Sequence, residues 1–371
     1  MVTVRCPVVT DPDAGLADPA DFDPLIARLA PSAPGVPSGE VFPRGAVQPD
    51  GRLDLCKQGV GPVQAGRLTA AAVASPLVRH LLLGTNGLGA EGAAAVAGAL
   101  PSGHGIETLY LGCNRIDADA VGPIADRLGQ VRALWLKRNP LGDQGVARLA
   151  AALSGNTSLR TLDLVNTGLT GTGLTVLASV LRTDGPRLER LYLGGNGLDR
   201  SAVPVLAQLI HDAGIRELYL AANHLGDDGV AELAAAADGV AMTFGLGGNG
   251  LTPYGISALT PHLRAWPVLD LARPPSERAL GATGNRVGDE GAAALAEVLP
   301  SARLRRLDLR RTGIGGRGAR RLADAVAGHP TLEYLGLAEG VPRRIRRELT
   351  AALGQRPEPH PDVRAIASIY R

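Results

Sequence analysis

Lysine, aromatic residues and cysteine are all scarce in this chain of 371 residues. Lys57 and Lys137 are the only lysines, so 36 of the 38 basic residues are arginines. Aromatic residues make up 3% of the chain and hydrophobic residues 45%, so the core must be built from Leu, Ala and Val packed in thin layers. The arginine bias, together with abundant Ala, Gly and Pro, predicts a GC-rich, bacterial genome and indicates nothing about function.

The scarcity of cysteine and the absence of long apolar runs bear on location. Cys6, Cys56 and Cys113 are too few for a disulfide framework, which favours a reducing compartment. The first residues lack the charged segment and apolar run of a signal peptide. No stretch approaches the ~18–20 apolar residues of a membrane span. We therefore expect a cytoplasmic protein that makes no contact with a membrane.

The common short catalytic motifs are missing as well. With two lysines, no phosphate-binding loop of the form G-x-x-x-x-G-K-S/T can occur, and H-E-x-x-H, C-x-x-C and G-x-S-x-G are also absent. The histidines stand singly, and Cys56 and Cys113 are interpreted as packed or surface thiols. We therefore predict a chain that is not an enzyme and that binds no cofactor, metal ion or small-molecule substrate.

One pattern, L-x-x-L-x-L-x-x-N-x-L, recurs from Leu53 almost to the last residue. Its asparagine slot returns every 25 to 36 residues. A repeat of this length indicates a stacked array rather than a single globular core, so we predict one elongated repeat domain. The slot asparagines are Asn86, Asn114, Asn139, Asn196, Asn223, Asn249 and Asn285, and degenerate copies carry Gln58, Thr167, Thr312 and Gly340.

Each repeat has two halves. The L-x-L segment alternates as a short strand does, and the asparagine amide can donate to and accept from backbone groups in the following turn. The second half, for example residues 141–153, keeps apolar residues near a 3.6-residue period and predicts a helix. Because a helix is wider than the ~4.8 Å spacing of strands, such repeats must curve. This predicts a horseshoe with a parallel concave sheet and convex helices.

These eleven copies, from Leu53 to Val341, resemble the leucine-rich repeat proteins and, among them, the long-repeat class that is similar to ribonuclease inhibitor. The resemblance implies an α/β leucine-rich repeat horseshoe solenoid built from eleven βα repeats. It implies less about function, because this class contains enzyme inhibitors, GTPase activators and the sensor domains of immune receptors.

Both ends of the chain depart from the repeat. Residues 1–48 are rich in proline, which excludes long helices, so we expect an N-terminal cap with one short helix at residues 23–30. An independent ligand-binding arm or a disordered segment is the alternative. Residues 49–341 form the predicted solenoid. Residues 342–371 predict a C-terminal cap helix with a basic outer surface and a tail that docks on the solenoid or on a partner. The apolar residues of that tail are Val363, Ile366, Ile369 and Tyr370.

The repeat between Asn249 and Asn285 is longer than its neighbours. The surplus, residues 272–280, falls between the predicted strand at 268–271 and the slot asparagine. Insertions in repeat proteins emerge as loops on one face, often the binding face. Arg273 and Arg278 therefore predict a charged projection that contacts a partner, and a tolerated surface insertion is the alternative.

The residue between the second and third leucines of each copy points to the concave side, because strand side chains alternate. Four of five consecutive copies carry an aromatic residue there, although aromatic residues are scarce in the chain. Tyr and Trp frequently anchor interfaces, while a general preference of aromatic residues for strands is the alternative explanation. The column consists of Asp54, Leu82, Tyr110, Trp135, Asp163, Tyr192, Tyr219, Gly245, Asp270, Asp308 and Gly336.

Charged residues flank this column. Fifteen Arg and seven Asp and Glu give residues 303–371 a net charge of +8, so residues 1–302 carry −6. An aromatic stripe with arginines fits a protein surface, and it also fits single-stranded RNA, whose bases stack on aromatic rings while its phosphates pair with Arg. The carboxylates interspersed in the column favour a protein.

We therefore predict a non-enzymatic scaffold or regulator that binds a partner protein, for example an enzyme that it inhibits, activates or positions, on its concave face. An RNA-binding subunit is the alternative. A GTPase-activating regulator is a third reading, for which no catalytic residue can be assigned. The candidate partner-binding residues are Tyr110, Trp135, Lys137, Arg138, Asp163, Arg190, Tyr192, Tyr219, Asp270, Arg306, Asp308 and Arg310, with Arg273 and Arg278 in the insertion.

Overall fold

The computed structural model describes residues 15–338, 340–353 and 358–367. These residues form two compact units. Unit 1 contains the described residues up to Glu189 and those from Pro359 onward, and unit 2 runs from Arg190 to Glu358. Residues 1–14 of the predicted cap and residues 354–357 and 368–371 of the predicted tail lie outside the described residues. Within the described part, no helix is long and apolar enough to cross a membrane.

Unit 1 repeats a short strand followed by a helix. Strands β3 to β7 pair in parallel and in chain order, and β1 and β2 precede them as an antiparallel hairpin. The strands are β1 Glu40–Val41, β2 Ala46–Val47, β3 Arg52–Asp54, β4 His80–Leu82, β5 Thr108–Tyr110, β6 Ala133–Trp135 and β7 Thr161–Asp163. The helices are α1 Asp23–Arg28, α2 Pro62–Ala74, α3 Gly89–Gly98, α4 Val121–Ala125, α5 Gly142–Leu153 and α6 Gly171–Thr183, and a short helix from near the end of the chain, Pro361–Arg364, also belongs to this unit.

Unit 2 is built in the same way, with parallel strands in chain order. The strands are β8 Arg190–Tyr192, β9 Glu217–Tyr219, β10 Thr243–Gly245, β11 Val268–Asp270, β12 Arg306–Asp308 and β13 Tyr334–Gly336. The helices are α7 Val203–His211, α8 Gly226–Ala236, α9 Pro253–Leu259, α10 Gly288–Val298, α11 Gly316–Val326 and α12 Arg343–Ala352. The predicted α/β repeat with a parallel sheet is confirmed in each unit. We call the helix Pro361–Arg364, which follows these in sequence, α13.

The middle residue of each three-residue strand packs against the helices. In unit 1 the register aligns Leu81 with Leu109, and Leu134 with Leu162, and all four are fully buried. Unit 2 continues the pattern with buried residues such as Leu218. Because side chains alternate along a strand, the first and third residues of each strand lie on the opposite side of the sheet, which we call the open face.

The slot asparagines join successive repeats through their backbones. Asn139 Nδ2 donates to the carbonyl oxygens of Leu111 and Leu136, both at 2.9 Å. Its Oδ1 accepts from the backbone N–H of Asn114 at 2.9 Å and of Ile116 at 3.0 Å. This buried amide therefore satisfies four backbone groups that the turn leaves unpaired, as the sequence predicted.

The degenerate slots retain part of this bonding. Thr167 Oγ1 donates to the Leu164 carbonyl at 3.0 Å, and Thr312 Oγ1 donates to the Leu309 carbonyl at 2.7 Å. These are the carbonyls three residues upstream, which a slot asparagine also binds. A hydroxyl supplies one donor where the asparagine amide supplies two.

The first strands of unit 1 form a hairpin that the sequence analysis did not predict. Gly45 closes it with φ +84° and accepts a hydrogen bond from the Phe42 N–H at 3.0 Å. A Cβ at this position would lie 2.9 Å from Leu55 Cδ2, so only glycine fits. Short helix α1 lies beside it and buries Leu25, and Leu29 immediately after it is also buried.

Helix α12 is the last helix of unit 2 and lies against α11. Ile345 and Leu349, two of its apolar residues, are buried. Its arginines are exposed, and Arg344 pairs with Glu348 at 3.0 Å. The helix therefore covers the last repeat with an apolar side and presents a basic side to solvent.

Candidate partner-binding face

Two columns of side chains occupy the open face, one from the first and one from the third residue of each strand. The third-position column is the one that the sequence analysis selected. The first-position column runs Arg52, His80, Thr108, Ala133 and Thr161 in unit 1, and Arg190, Glu217, Thr243, Val268, Arg306 and Tyr334 in unit 2. The two units differ in how far these columns are open to solvent.

A pair of stacked tyrosines lies on the open face of unit 2. The rings of Tyr192 and Tyr219 are parallel within 4°, with their centroids 4.2 Å apart. Both side chains are half-buried. The Tyr219 hydroxyl donates to Glu217 Oε2 at 2.9 Å, and Arg190 Nε lies 2.9 Å from the other oxygen, Oε1. Arg190 itself is buried, so in unit 2 it holds Glu217 in place rather than projecting to solvent.

The next strand makes room for this pair. Gly245 follows Tyr219 in the third-position column, paired in register with it. A Cβ on Gly245 would lie 2.8 Å from Tyr219 Cδ1, so the tyrosine ring extends over the glycine. Burial, followed by the charge of Glu217, raises the pKa of the Tyr219 hydroxyl above its usual value. The hydroxyl therefore remains a hydrogen-bond donor at neutral pH.

Charges on the last strands of unit 2 largely neutralise one another. Arg310 binds the buried Asp308 carboxylate through Nε at 2.9 Å and Nη2 at 2.8 Å, and Arg306 Nη2 lies 3.5 Å from it. Asp270 is adjacent in register, and burial, with a further contribution from Asp308, raises its pKa to about 6. Arg306 also lies over the Tyr334 ring, with Cζ 4.9 Å from the centroid.

The open face of unit 1 is covered around β5, β6 and β7, although we predict from the sequence that the aromatic residues there contact a partner. Tyr110, Trp135 and Asp163 are each 2% exposed. Tyr110 lies along the sheet above two glycines, because a Cβ on Gly84 would meet its ring and one on Gly112 would lie 2.8 Å from its hydroxyl oxygen. These side chains are packed into the unit rather than displayed on it.

Lys137 and Arg138 follow strand β6, and both are half-buried. Lys137 Nζ lies 5.5 Å from the centroid of the Tyr110 ring, within the range of a cation–π contact. Burial raises the pKa of Asp163 to about 6, and the charges of the two basic residues act in the opposite direction. Lys137 thus links Tyr110 and Asp163, since it contacts the Tyr110 ring and its charge acts on Asp163.

The aspartates of the third-position column share a local role that the sequence analysis missed. Each accepts a hydrogen bond from the backbone N–H two residues later. The distances are 3.0 Å for Asp54 and Cys56, 2.8 Å for Asp163 and Val165, 2.9 Å for Asp270 and Ala272, and 3.3 Å for Asp308 and Arg310. The signal was available, because Asp commonly bonds the backbone two residues on.

The terminal helix α13 lies on the open face of unit 1. Asp362 Oδ2 accepts a hydrogen bond from Thr161 Oγ1 at 2.7 Å, across 201 residues of sequence. Asp362, Ala365 and Ile366 are buried. The docking of the tail follows from its apolar residues, but its site does not, because no pattern in a single sequence connects Thr161 with Asp362.

The insertion leaves the asparagine bonding intact. Asn285 Nδ2 still donates to the carbonyl after the strand, that of Leu271, at 3.1 Å, although 14 residues separate them instead of three. Arg273 pairs with the buried Glu277 at 3.0 Å. Arg278 is exposed at the start of a short 3-10 turn, Arg278–Leu280. Of the two predicted contact residues, Arg278 is exposed, whereas Arg273 is half-buried and paired with Glu277.

Among the described residues, no group of three or more His, Cys, Asp or Glu side chains could hold a metal ion. Burial, followed by the charge of Asp54, raises the pKa of the Cys56 thiol above its usual value. A protonated thiol is a poor nucleophile and a poor metal ligand. Cys56 is therefore protonated at neutral pH.

Comparison with known proteins identifies the repeat. Residues 155–178, 215–234, 283–296 and 303–323 match the family model described as Leucine Rich repeat. The chain is 31% identical over 286 residues to ribonuclease inhibitor from Sus scrofa, an alignment that covers 67% of this chain and 60% of that protein. The chain thus spans less than two thirds of the length of that relative.

Two human proteins are also similar. Leucine-rich repeat-containing protein 73 is 32% identical over 221 residues, covering 56% of this chain and 66% of that protein. NACHT, LRR and PYD domains-containing protein 3 is 30% identical over 185 residues, covering 48% of this chain and 17% of that protein. These relatives are mammalian and give no support to the bacterial origin expected from composition. The chain therefore has a leucine-rich repeat fold, and its sequence is similar to that of ribonuclease inhibitor.

Proposed function

We propose that this chain is a non-enzymatic interaction protein that binds a partner protein through the open face of unit 2. The observation that carries the proposal is the half-buried Tyr192 and Tyr219 stack, which is held by Glu217 and Arg190 on the open face. Rigid tyrosines lose little conformational entropy on binding and frequently anchor interfaces. The hydroxyl of Tyr219 already has its acceptor, so the rings present mainly apolar area.

The charges beside the tyrosines favour a protein over RNA. Arg306 and Arg310 are both engaged by Asp308, and Asp270 lies next to it, so this group carries little net charge. A phosphate backbone needs arginines that are free to pair with it. A protein surface with mixed charges and apolar patches matches this arrangement better.

The partner class that we propose is an enzyme. Relatives that are named ribonuclease inhibitor, from Sus scrofa and Mus musculus, support this choice. A stiff repeat surface also suits tight binding, because little ordering is needed when the partner arrives. The bound enzyme would be inhibited, activated or positioned through this face.

The test is co-purification from the source organism under nuclease treatment. A Tyr192→Ala/Tyr219→Ala variant should lose a stoichiometric protein that the wild type retains. Tyr254→Ala is the matched control, because Tyr254 is 70% exposed on α9, away from the open face. A partner that stays bound to the double variant would contradict the proposal. Recovery of RNA alone, with binding that weakens steeply as salt rises, would favour the RNA alternative.

A further inference from the structure

Three consecutive residues in the first-position column of unit 1 are dry, although they lie on the side of the sheet opposite helices α2 to α6. Thr108 is 1% exposed, and Ala133 and Thr161 are 0% exposed. In unit 2 most residues of the corresponding column, including Glu217, Val268 and Tyr334, are half-buried. A face that lies opposite the repeat helices needs another cover to exclude water to this degree.

The cover on this face is the returning segment, residues 359–367, which includes α13. Its buried residues are Asp362, Ala365 and Ile366, at positions i, i+3 and i+4. Residues with this spacing share one side of a helical turn. Pro361 and Arg364 are exposed. The segment therefore presents one acidic, one small and one aliphatic side chain to the sheet.

Polar contacts fix where the segment lies. Thr161 Oγ1 donates to Asp362 Oδ2 at 2.7 Å, in a buried hydrogen bond. Asp362 is also near enough to His80 to favour its protonated form, although burial lowers the pKa of that histidine overall. His80 Nδ1 is 2.9 Å from Thr108 Oγ1. The acidic side chain thus binds a hydroxyl group of the column, and its charge acts on the nearby imidazole.

The segment forms its helical turn with its own cap. The Asp362 N–H donates to His360 Nδ1 at 3.2 Å, and Pro361 occupies the first helical position. One turn of helix has little stability alone in water. Its order therefore comes from docking, as for a short peptide ligand that folds on its receptor.

We propose that the open face of unit 1 is a peptide-binding groove. Its ligand is a helical turn with an acidic residue at position i, a small residue at i+3 and an aliphatic residue at i+4. The returning segment occupies this groove in cis, and a segment of the same chemistry in a partner protein displaces it. The inference rests on the proposed function of binding a partner protein, and it assigns a second binding face, closed by the chain itself.

Binding in cis has a quantitative consequence. A tethered segment competes at an effective concentration of about 1 mM, so it weakens the binding of a free peptide without any change in the groove. Unseating the segment should remove this competition. The affinity for a free copy of the segment should then rise by about tenfold to a hundredfold.

The experiment uses a fluorescein-labelled peptide of residues 358–367 and fluorescence anisotropy on the full chain. Ile366→Asp places a charge in the buried apolar contact and should unseat the segment, so this variant should bind the peptide at least about tenfold more tightly than the wild type. Pro359→Ala, a change at an exposed position at the start of the same segment, should bind as the wild type does. Asp362→Ala is a milder second variant that should also increase binding.

Trp135 provides an independent readout. In a Trp266→Phe background it is the only tryptophan, and it is 2% exposed. Acrylamide should quench its emission more strongly in Ile366→Asp, and added peptide should restore the protection. Circular dichroism checks that each variant keeps its fold. The Tyr192→Ala/Tyr219→Ala variant should bind the peptide as the wild type does, which separates this groove from the proposed face of unit 2.

The peptide itself supplies the specificity controls. A scrambled peptide should not bind, and replacing its Asp by Ala should weaken binding to Ile366→Asp by about tenfold, since one charge-assisted hydrogen bond is lost. Equal affinity of the wild type and Ile366→Asp would overturn the proposal. So would the absence of peptide binding to Ile366→Asp, or equal binding of the scrambled sequence.

Discussion

The rings of Tyr192 and Tyr219 stack face to face across neighbouring strands, with centroids 4.2 Å apart. Cross-strand aromatic pairs of this kind contribute about 0.5–1.5 kcal/mol beyond the area that they bury. The pair is therefore part of the folding energetics of unit 2 as well as a candidate contact surface.

We predict that the two tyrosines are coupled in stability. Tyr192→Leu and Tyr219→Leu should each destabilise the protein, and the double variant should lose less than the sum, with a coupling energy of about 0.5–1.5 kcal/mol. Urea unfolding followed by circular dichroism measures the stability of the wild type, the two single variants and the double variant. Tyr254→Leu, at an exposed position, should change stability by less than about 0.5 kcal/mol. Strict additivity would show that the stack contributes nothing.

Replacing a slot asparagine should lower the free energy of unfolding strongly. Asn139→Ala removes a buried amide that bonds the backbones of Leu111, Asn114, Ile116 and Leu136. Each buried group left unpaired costs about 1–3 kcal/mol, so we expect a loss of about 3–6 kcal/mol in the free energy of unfolding after partial relaxation.

Threonine at the same position is the matched control. Asn139→Thr should keep the bond to the Leu136 carbonyl, as Thr167 does with Leu164, and should therefore lose less than the alanine variant. Chemical denaturation of both variants decides the matter. Equal losses for Ala and Thr, or a loss below about 1 kcal/mol for Ala, would contradict the role assigned to the amide.

Two glycines of unit 1 should respond to alanine with opposite sign. A Cβ at Gly84 would collide with the Tyr110 ring, so Gly84→Ala must displace the ring and should destabilise by about 1–3 kcal/mol. Gly98 lies in α3 with open space around it, and Gly98→Ala should stabilise by about 0.5–1 kcal/mol. Thermal unfolding of the two variants gives the comparison. Removing the ring in a Gly84→Ala/Tyr110→Ala variant should abolish most of the additional cost of the alanine.

The repeat was predictable because each of its copies depends on local chemistry. An amide such as that of Asn139 is specified by its turn, and Leu134 is specified by alternation along its strand, so both could be assigned from the sequence. The side of the sheet on which Trp135 lies followed from the same alternation.

The solvent exposure of the open-face residues in unit 1 was not predictable, because it depends on a distant part of the chain. Trp135 is buried on a face that the returning segment occupies, and the contact between Thr161 and Asp362 joins residues 201 positions apart. The hairpin around Gly45 was not predictable either, because the first 48 residues contain no repeat that indicates which segments pair. Periodicity thus gives the layers of the fold, whereas single long-range contacts determine which surface remains open.

Asp163 gives the protein a pH dependence whose sign can be worked out. Burial raises its pKa to about 6 in the folded state, from 3.8. The folded state therefore holds its proton more tightly than the unfolded state. The contribution of this group to stability is fully present below about pH 4 and is lost as pH rises through 6.

The variant Asp163→Asn isolates this contribution, because its amide oxygen can still accept from the Val165 N–H, which lies 2.8 Å from Oδ1 in the wild type. The difference in unfolding free energy between variant and wild type should shift by about 3 kcal/mol in favour of the variant between pH 4 and pH 8, as expected for a pKa change of about 2 units. Urea titrations across this range provide the measurement, since urea leaves charge interactions unscreened. A difference that stays flat with pH would mean that Asp163 is hydrated in the folded protein, and a shift of opposite sign would mean that Lys137 and Arg138 outweigh its burial.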